Sequence, residues 1–238
     1  MKTYAVVVAG GTGSRMGTDI PKQYMEIHGK PLLYYTLKAF EESAVDGVSL
    51  VVSGDRLQYA VSEIVDKYGF AKVIRVCEGG AERFHSVFHA LDDLSDIAQD
   101  DDIVLIQDGA RPFVTADLIR EVAEAVQTYG AAIAAVPAKD TIKIADADGF
   151  VAATTVRANT WQIQTPQGFR YGEILAAYKK LFADLQNDQA AITPGQVTDD
   201  SMVFERAFPE KKVKLIKASY DNIKITTPED FEVAKERL

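Results

Sequence analysis

The strongest constraint on the fold of this chain is a repeated alternation between short apolar runs and longer amphipathic segments. The first run, Tyr4 to Ala9, is rich in valine and ends at a pair of glycines. An apolar run without alternating polar residues is typical of a strand buried on both faces, and hence of a parallel sheet. The segment at 31–40 then has the length and spacing of a helix with a proline near its start.

The same alternation continues along most of the chain. Further strands are predicted at 48–52, 73–76, 103–106, 131–136 and 213–217, and helices at 56–68, 82–94, 171–185, 199–208 and 228–238, with a loop at 186–196. Thr115 is expected to cap one more helix, which runs to about residue 128. Strands that alternate with helices indicate right-handed βαβ units, so we predict an α/β fold with a doubly wound, mostly parallel sheet.

The alternation is interrupted between Ala138 and Gln164. Apolar stretches at 141–144 and 150–156 flank a turn with the sequence Asp-Ala-Asp-Gly, and its Asp-Gly ending is a strong hairpin signal. A long hairpin inserted in an α/β domain is usually a lid or an oligomer contact. We therefore predict one domain over residues 1–238, with a β-hairpin arm at 138–164 that serves dimerisation.

Composition and charge exclude several classes of protein. The single cysteine, Cys77, rules out a disulfide framework and a cysteine-based zinc site. A formal net charge of −9 disfavours nucleic acid and anionic membrane surfaces as partners. No apolar run approaches the roughly 18 residues that a membrane span requires. We expect a soluble cytoplasmic protein that acts on small molecules, with no nucleic-acid or membrane partner.

The first candidate site is the glycine-rich segment that follows the first strand. Backbone N–H groups in such a segment can form a nest for phosphate oxygens. Neither common phosphate motif fits, because Met16 stands where one needs glycine and Thr18 where the other needs lysine. Arg15 and Lys22 instead supply two positive charges, which suits a triphosphate under attack. The alternative is a tight turn with two solvated basic residues.

Two further clusters follow later strands. Asp108 and Arg111 lie at the carboxyl end of a predicted strand, and so point to the same crevice as the first loop. Asp108 could hold Mg²⁺ or a substrate hydroxyl, or the two residues could form only a buried ion pair that closes a turn. Gly79 and Gly80 open a junction whose backbone could read the edge of a base, with Ser86 as a hydrogen-bonding partner; a plain helix start is the alternative.

Seven segments in order resemble the bacterial cytidylyltransferases that make 4-diphosphocytidyl-2-C-methyl-D-erythritol in the non-mevalonate isoprenoid pathway. These are AGGTGSRMG…PKQY (9–24), GG-x-x-R-x-x-SV (79–87), DGARPFV (108–114), VPAKDTIK (136–143), R-x-x-x-W-x-x-QTPQ-x-F (157–169), TDDS (198–201) and DNIKITTPED (221–230). The resemblance implies a Rossmann-like fold of the nucleotide-diphospho-sugar transferase type and a homodimer made through interlocking β-arms. It also implies CTP as a substrate and Mg²⁺ or another divalent cation as cofactor.

The resemblance also assigns roles to single residues. It implies that Arg15, Lys22 and Lys224 stabilise charge in catalysis. The residues that it implies for binding the cytidine and the triphosphate are Ala9, Gly10, Gly11, Gly13, Gly80, Ala81, Ser86 and Asp108. Asp108 is also a possible metal contact. The pocket for the acceptor substrate, methylerythritol phosphate, would be formed by Arg111, Thr141, Arg157, Thr165, Thr198 and Lys224. Of these, Thr141 and Arg157 would reach across the dimer into the pocket of the other subunit. Two residues depart from the family pattern: Gln107 replaces a common histidine, and Ala81 replaces an acidic residue.

Two other functions remain open from the sequence. A sister enzyme that uses ribitol 5-phosphate for teichoic acid synthesis shares the glycine loop and the QTPQ and NIKITTP segments. We rank it second because VPAKDTIK, together with Arg157 and Trp161, is more similar to the isoprenoid enzyme. The third possibility is a module that binds CTP without turnover, although the two charges of Arg15 and Lys22 argue against a mere binder.

Overall fold

The computed structural model describes residues 1–11, 20–186 and 196–238 of the chain. Most of the predicted loop at 186–196 lies outside these residues. The strands are β1 (Thr3–Val8), β2 (Glu26–Ile27), β3 (Lys30–Pro31), β4 (Gly47–Val52), β5 (Val73–Glu78), β6 (Ile103–Asp108), β7 (Ala131–Pro137), β8 (Lys143–Ala145), β9 (Val151–Thr154), β10 (Trp161–Arg170) and β11 (Lys214–Lys217). The helices are α1 (Leu32–Glu41), α2 (Leu57–Tyr59), which continues as a π-helix over Ala60–Asp66, α3 (Arg83–Asp93), α4 (Ala116–Tyr129), α5 (Tyr171–Gln186), α6 (Asp200–Ala207) and α7 (Pro228–Arg237).

Seven of these strands form the central sheet, in the order β11-β7-β10-β6-β1-β4-β5. β1 pairs in parallel with both β4 and β6, β4 with β5, and β11 with β7. The predicted α/β fold with a mostly parallel sheet is confirmed, and the predicted strands and helices lie within a few residues of the observed ones. Thr115 caps α4 as expected, because the backbone N–H of Leu118 donates to its Oγ1 at 3.2 Å.

β10 is the element that sequence reasoning missed. It lies antiparallel between β6 and β7, and its first residues belong to the segment that is predicted as the arm. Residues 164–169 are buried although several are polar, because their side chains find hydrogen-bonding partners inside the fold. The hairpin itself is shorter than the predicted 138–164: β8 and β9 pair Lys143 with Thr154, and the segment ends in the central sheet.

Two helical layers cover the two faces of the sheet. Successive residues of a strand point to opposite faces, so Ala5 and Val7 of β1 pack with one layer and Tyr4 and Val6 with the other. The first layer includes α1 and α4, and the second includes α3, α5 and α6. This double coverage explains why the strands read as continuous apolar runs. Among the described residues, no helix has both the length and the apolar character that crossing a membrane demands.

Candidate active site

A cleft of about 620 Å³ opens at the carboxyl ends of β1, β4, β5 and β6. It is lined by the segments that follow these four strands, together with Lys22, Gln23, Lys224 and Thr226 from outside the sheet. The carboxyl edge of a parallel sheet is where loops from separate strands meet, and it is the usual place for a ligand in such folds. Loops that are far apart in sequence therefore converge here on one volume large enough for a nucleotide.

The segment after β1 is fixed by a buried glutamine. The amide Nε2 of Gln23 donates to the carbonyl oxygens of Ala9 at 2.7 Å and Gly11 at 2.8 Å. The backbone N–H of Ala9 in turn donates to the carbonyl of Val51 at 2.7 Å, which ties the segment to β4. Gln23 is only 3% exposed, so these bonds are shielded from water and hold the backbone in one path along the cleft.

The segment after β5 needs its two glycines because other groups approach them closely. A Cβ on Gly79 would lie 2.7 Å from Oγ of Ser86, and one on Gly80 would clash with the side chain of His85. The N–H of Gly80 donates to Oγ of Ser86 at 3.1 Å, and that hydroxyl contacts the carbonyl of Glu82 at 3.3 Å. Ser86 therefore holds the loop in shape at the wall of the cleft.

The carboxylate of Asp108, at the end of β6, lies among three cations. Its Oδ1 accepts from Nε of Arg83 at 3.0 Å, and its Oδ2 lies 2.9 Å from Nζ of Lys224 and 3.7 Å from Nε of Arg111. Burial alone would raise the pKa of Asp108, but the charges of Arg83, Lys224 and Arg111 outweigh it and hold the pKa well below its usual range. Asp108 is therefore ionised at any physiological pH.

Arg83 extends this cluster to a second buried carboxylate. Its Nη1 and Nη2 donate to Oδ1 and Oδ2 of Asp200 at 2.9 and 2.8 Å, and the hydroxyl of Tyr178 donates to the same Oδ1 at 2.6 Å. Burial raises the pKa of Tyr178, and the charge of Asp200 raises it further, so the phenol keeps its proton and remains a donor. The guanidinium of Arg83 thus bridges two carboxylates.

The described side chains around Asp108 do not form a metal site on their own. In the part of the chain that the structure describes, no three His, Cys, Asp or Glu side chains converge on a point. Asp108 was the candidate ligand, yet both of its oxygens are engaged by cationic groups. A divalent cation here would share this carboxylate with those cationic groups, and a direct metal contact of Asp108 stays a prediction.

Comparison with known proteins identifies the family. The family model of 2-C-methyl-D-erythritol 4-phosphate cytidylyltransferase (IspD) matches residues 3–238. The chain belongs to this family. A cytidylyltransferase of that name from Lachnospira eligens is 46% identical over 231 residues, which are 97% of this chain and 96% of the relative. Another from Alkaliphilus oremlandii is 44% identical, over 100% of this chain and 95% of the relative.

Solved structures of cytidylyltransferases of this family share the fold. The 4-diphosphocytidyl-2C-methyl-D-erythritol synthase of Anaerococcus prevotii superimposes with a TM-score of 0.83 at 33% identity, covering 99% of this chain and 95% of that one. The IspD enzyme of Francisella tularensis gives a TM-score of 0.77 at 30% identity and covers 100% of both chains. The family and its fold therefore agree with the resemblance seen in the sequence.

The cleft of this cytidylyltransferase family member collects many of the residues that the sequence singled out, but not all. It is lined by Ala9, Gly10, Gly11, Lys22, Gly80, Ala81, Ser86, Asp108 and Lys224. Gly13 and Arg15 lie outside the described residues. Thr165 and Arg111 are buried next to Asp108, whose backbone N–H donates to Oγ1 of Thr165 at 3.1 Å.

Three predicted acceptor residues lie away from the cleft of their own chain. Thr141 and Arg157 are exposed on either side of the β8–β9 hairpin, and Thr198 is exposed just before α6. None of them is among the residues that line the cleft. Thr141 and Arg157 are expected to act in a partner subunit, so their role stays a prediction.

Sequence reasoning missed three residues that shape the site: Gln23, Arg83 and Asp200. All three lie inside the segments that carry the family resemblance, yet pattern alone assigns them no role. A charged or amide side chain looks the same in a sequence whether it is solvated or buried. Their importance shows only in the fold, where Gln23 and Asp200 are buried, Arg83 is half-buried, and each bonds to partners elsewhere in the chain. Of the two departures, Gln107 is buried and donates to the carbonyl of Asp108 at 3.1 Å, and Ala81 is exposed at the cleft.

Proposed function

We propose that this chain transfers the cytidylyl group of CTP to 2-C-methyl-D-erythritol 4-phosphate, giving 4-diphosphocytidyl-2-C-methyl-D-erythritol and pyrophosphate. The reaction is the step of the non-mevalonate isoprenoid pathway for which its family is named. One observation carries the proposal: the cleft joins two glycine junctions of a parallel sheet to the ammonium groups of Lys22 and Lys224. Backbone amides and fixed cations in one cleft suit a substrate with several phosphates.

The reaction requires that two anions, CTP and methylerythritol phosphate, be aligned and that the charge on their phosphates be stabilised. An oxygen of the methylerythritol phosphate attacks the α-phosphorus of CTP. The bond from that phosphorus to the oxygen bridging the α- and β-phosphates breaks, and its electron pair leaves with pyrophosphate. A phosphate monoester is already a nucleophile near neutral pH, so neither a covalent intermediate nor a strong base is required.

Each set of cleft residues has a part in this scheme. Ala9, Gly10, Gly11, Gly80, Ala81 and Ser86 would hold the cytidine and the triphosphate, as would Gly13, while Arg15 and Lys22 would stabilise the charge that develops on the phosphates. Lys224 would contact the phosphate that attacks, because Asp108 holds its Nζ at 2.9 Å at the cleft. Such contacts accelerate the step when they strengthen in the transition state.

We assign the divalent cation, Mg²⁺ or a similar ion, to the phosphates of CTP. Bound there, it would supply further neutralisation of the leaving pyrophosphate. The residues of this chain would meet the cation through the nucleotide, because Asp108 is already engaged by Arg83 and Lys224.

We further propose that two copies of the chain associate through the hairpin arm. Several large apolar side chains are exposed on this hairpin and its flanks, among them Phe150 at 72% and Val156 at 67% exposure. An exposed apolar group of this kind favours a partner surface. In that homodimer Thr141 and Arg157 would reach the acceptor pocket of the other subunit, beside Arg111, Thr165 and Thr198. Residues 1–238 would form a single nucleotidyltransferase domain that works in the cytoplasm on small molecules.

Release of pyrophosphate from CTP tests the proposed reaction directly. The assay is run with 2-C-methyl-D-erythritol 4-phosphate, with ribitol 5-phosphate and without acceptor, and each arm is repeated with ATP and GTP in place of CTP. We expect release only with CTP and the methylerythritol acceptor. Turnover with ribitol 5-phosphate instead would favour the sister enzyme, and CTP binding without release from either acceptor would favour a binding module.

A further inference from the structure

Asp200 is a fully buried carboxylate that does not line the cleft and yet is linked to it. Its two oxygens accept from both terminal nitrogens of Arg83 and from the hydroxyl of Tyr178. Its own backbone N–H, and that of Ser201, donate to Oε1 of Gln167 at 3.1 and 2.9 Å. The carboxylate is therefore held from the side chain and from the backbone, and α6 cannot shift without breaking bonds to β10 and α5.

Arg83 links Asp200 to the cleft, because its guanidinium bonds both to Asp200 and to Asp108. Two edges of its planar guanidinium are in use: the Nη1 and Nη2 atoms meet Asp200, and Nε meets Oδ1 of Asp108 at 3.0 Å. Because the group is planar and rigid, pairing of the first edge with Asp200 sets the direction of the Nε–H bond. A lysine ammonium has no such geometry and could not bridge both carboxylates in the same way.

Asp108 in turn orients the lysine that we assign to the attacking phosphate. While Arg83 holds Oδ1, the other oxygen of Asp108 faces Nζ of Lys224 at 2.9 Å. The side chain of Arg83 is 27% exposed and borders the cleft, so it has room to turn. Without Asp200 its terminal nitrogens would be free to pair with Asp108 in a bidentate fork, and this would draw the carboxylate away from Lys224.

From this chain of contacts we propose that Asp200 is a positioning residue for the cytidylyl transfer, acting through Arg83 and Asp108 on the placement of Lys224. The inference rests on the proposed function, because it takes Lys224 as a catalytic group. It also gives a task to Gln167 and Asp200 of the QTPQ and TDDS segments, neither of which lines the cleft.

A double-mutant cycle separates this role from a general loss of stability. The variants are Asp200→Asn, Asp108→Asn and the two combined, each measured by pyrophosphate release at saturating CTP and acceptor. We expect Asp200→Asn to lower kcat about tenfold and to change the KM for CTP less than about threefold. In the Asp108→Asn background the same substitution should lower kcat less than about threefold, since the residue through which it acts is already altered. Equal factors in both backgrounds would overturn the proposal.

Asp102→Asn is the matched control. Asp102 is also a buried carboxylate, 3% exposed, and accepts from the backbone N–H groups of Lys2 at 2.6 Å and Gln99 at 2.9 Å. It precedes β6, whereas Asp108 ends the same strand, so it lies at the opposite edge of the sheet. This variant should lower the melting temperature while kcat stays within about twofold of the wild type. A comparable fall in kcat for Asp200→Asn and Asp102→Asn would mean that each buried carboxylate affects turnover only through the stability of the fold, and it would overturn the proposal.

Crystal structures give a readout that does not depend on turnover. In Asp200→Asn, Nζ of Lys224 should move beyond 3.5 Å from Asp108, and in Asp102→Asn the two groups should stay paired. If the Asp200 variant does not fold, Arg83→Lys replaces it in the cycle and in the crystal, with the same expectations. An intact Asp108–Lys224 pair in the folded variant would overturn the positioning role. A separated pair in the variant, together with a wild type that is inactive, would instead count against the proposed reaction alone.

Discussion

Replacement of Lys224 by alanine tests most directly how the cleft stabilises charge. Its Nζ lies 2.9 Å from Oδ2 of Asp108, and its side chain is 36% exposed at the cleft. The substitution removes one fixed cation from the place where the attacking phosphate is proposed to bind. Because Asp108 keeps Arg83 and Arg111 as partners, no carboxylate is left buried without a counter-charge.

Two different magnitudes follow from that geometry. A charge contact made to the transition state is typically worth about 3–4 kcal/mol, which corresponds to a loss in kcat of about 10²–10³. Lys224 is partly solvated and the buried Asp108 keeps two other cations, so loss of this pair should lower the free energy of unfolding by only about 1 kcal/mol. We therefore expect Lys224→Ala to be a folded protein with a large defect in turnover.

Pyrophosphate release at saturating substrates measures the first effect, and thermal or urea unfolding measures the second. Lys211→Ala is the matched control, because Lys211 pairs with Glu173 at 2.8 Å with a similar exposure of 39% and does not line the cleft. It should change stability by a similar small amount and leave kcat unaltered. A kcat for Lys224→Ala within threefold of the wild type would refute the reasoning, and so would an equal defect in both variants.

Three further predictions concern the phosphates, the arm and a buried tyrosine. Lys22→Ala and Arg15→Ala should each lower kcat by about 10² or more with the fold retained, as measured by pyrophosphate release and circular dichroism; near-normal turnover in both would leave this segment as a plain turn. Arg157→Ala mixed with Lys22→Ala should regain activity toward half that of wild type per mixed dimer, because one of its two pockets carries neither lesion; no recovery despite proven subunit exchange would place Arg157 in its own subunit's site. Burial raises the pKa of Tyr171 to about 12 from an ordinary 10.0, so the folded state holds the phenol proton more tightly than the unfolded state does. The stability that results is present below pH 10 and is lost as the pH rises from 10 to 12. Over that range the unfolding free energy from urea titrations should fall by about 2 kcal/mol more in the wild type than in Tyr171→Phe, and parallel curves would contradict the assignment.

Sequence alone determined the parts of this protein that depend on local pattern. Apolar runs such as the one at 4–9 predict buried strands, because apolar residues without a polar alternation suit a sheet that is covered on both faces. Thr115 predicts the start of α4, because its side-chain oxygen accepts a hydrogen bond from the backbone N–H of Leu118 in the first turn of the helix. The glycine junctions after β1 and β5, and the order of the seven segments, pointed to the carboxyl edge of the sheet and to the family.

The tertiary structure decided which distant groups meet. β10 escaped notice because its polar residues are satisfied by partners from other parts of the chain, and such residues look like a turn when they are read in order. Arg83 and Asp200 are 117 residues apart, and the planar bridge between them forms only when α3 and α6 pack on the same face of the sheet. Periodicity and capping act over a few residues, whereas the cost of burying a charge is set by whatever the fold brings beside it.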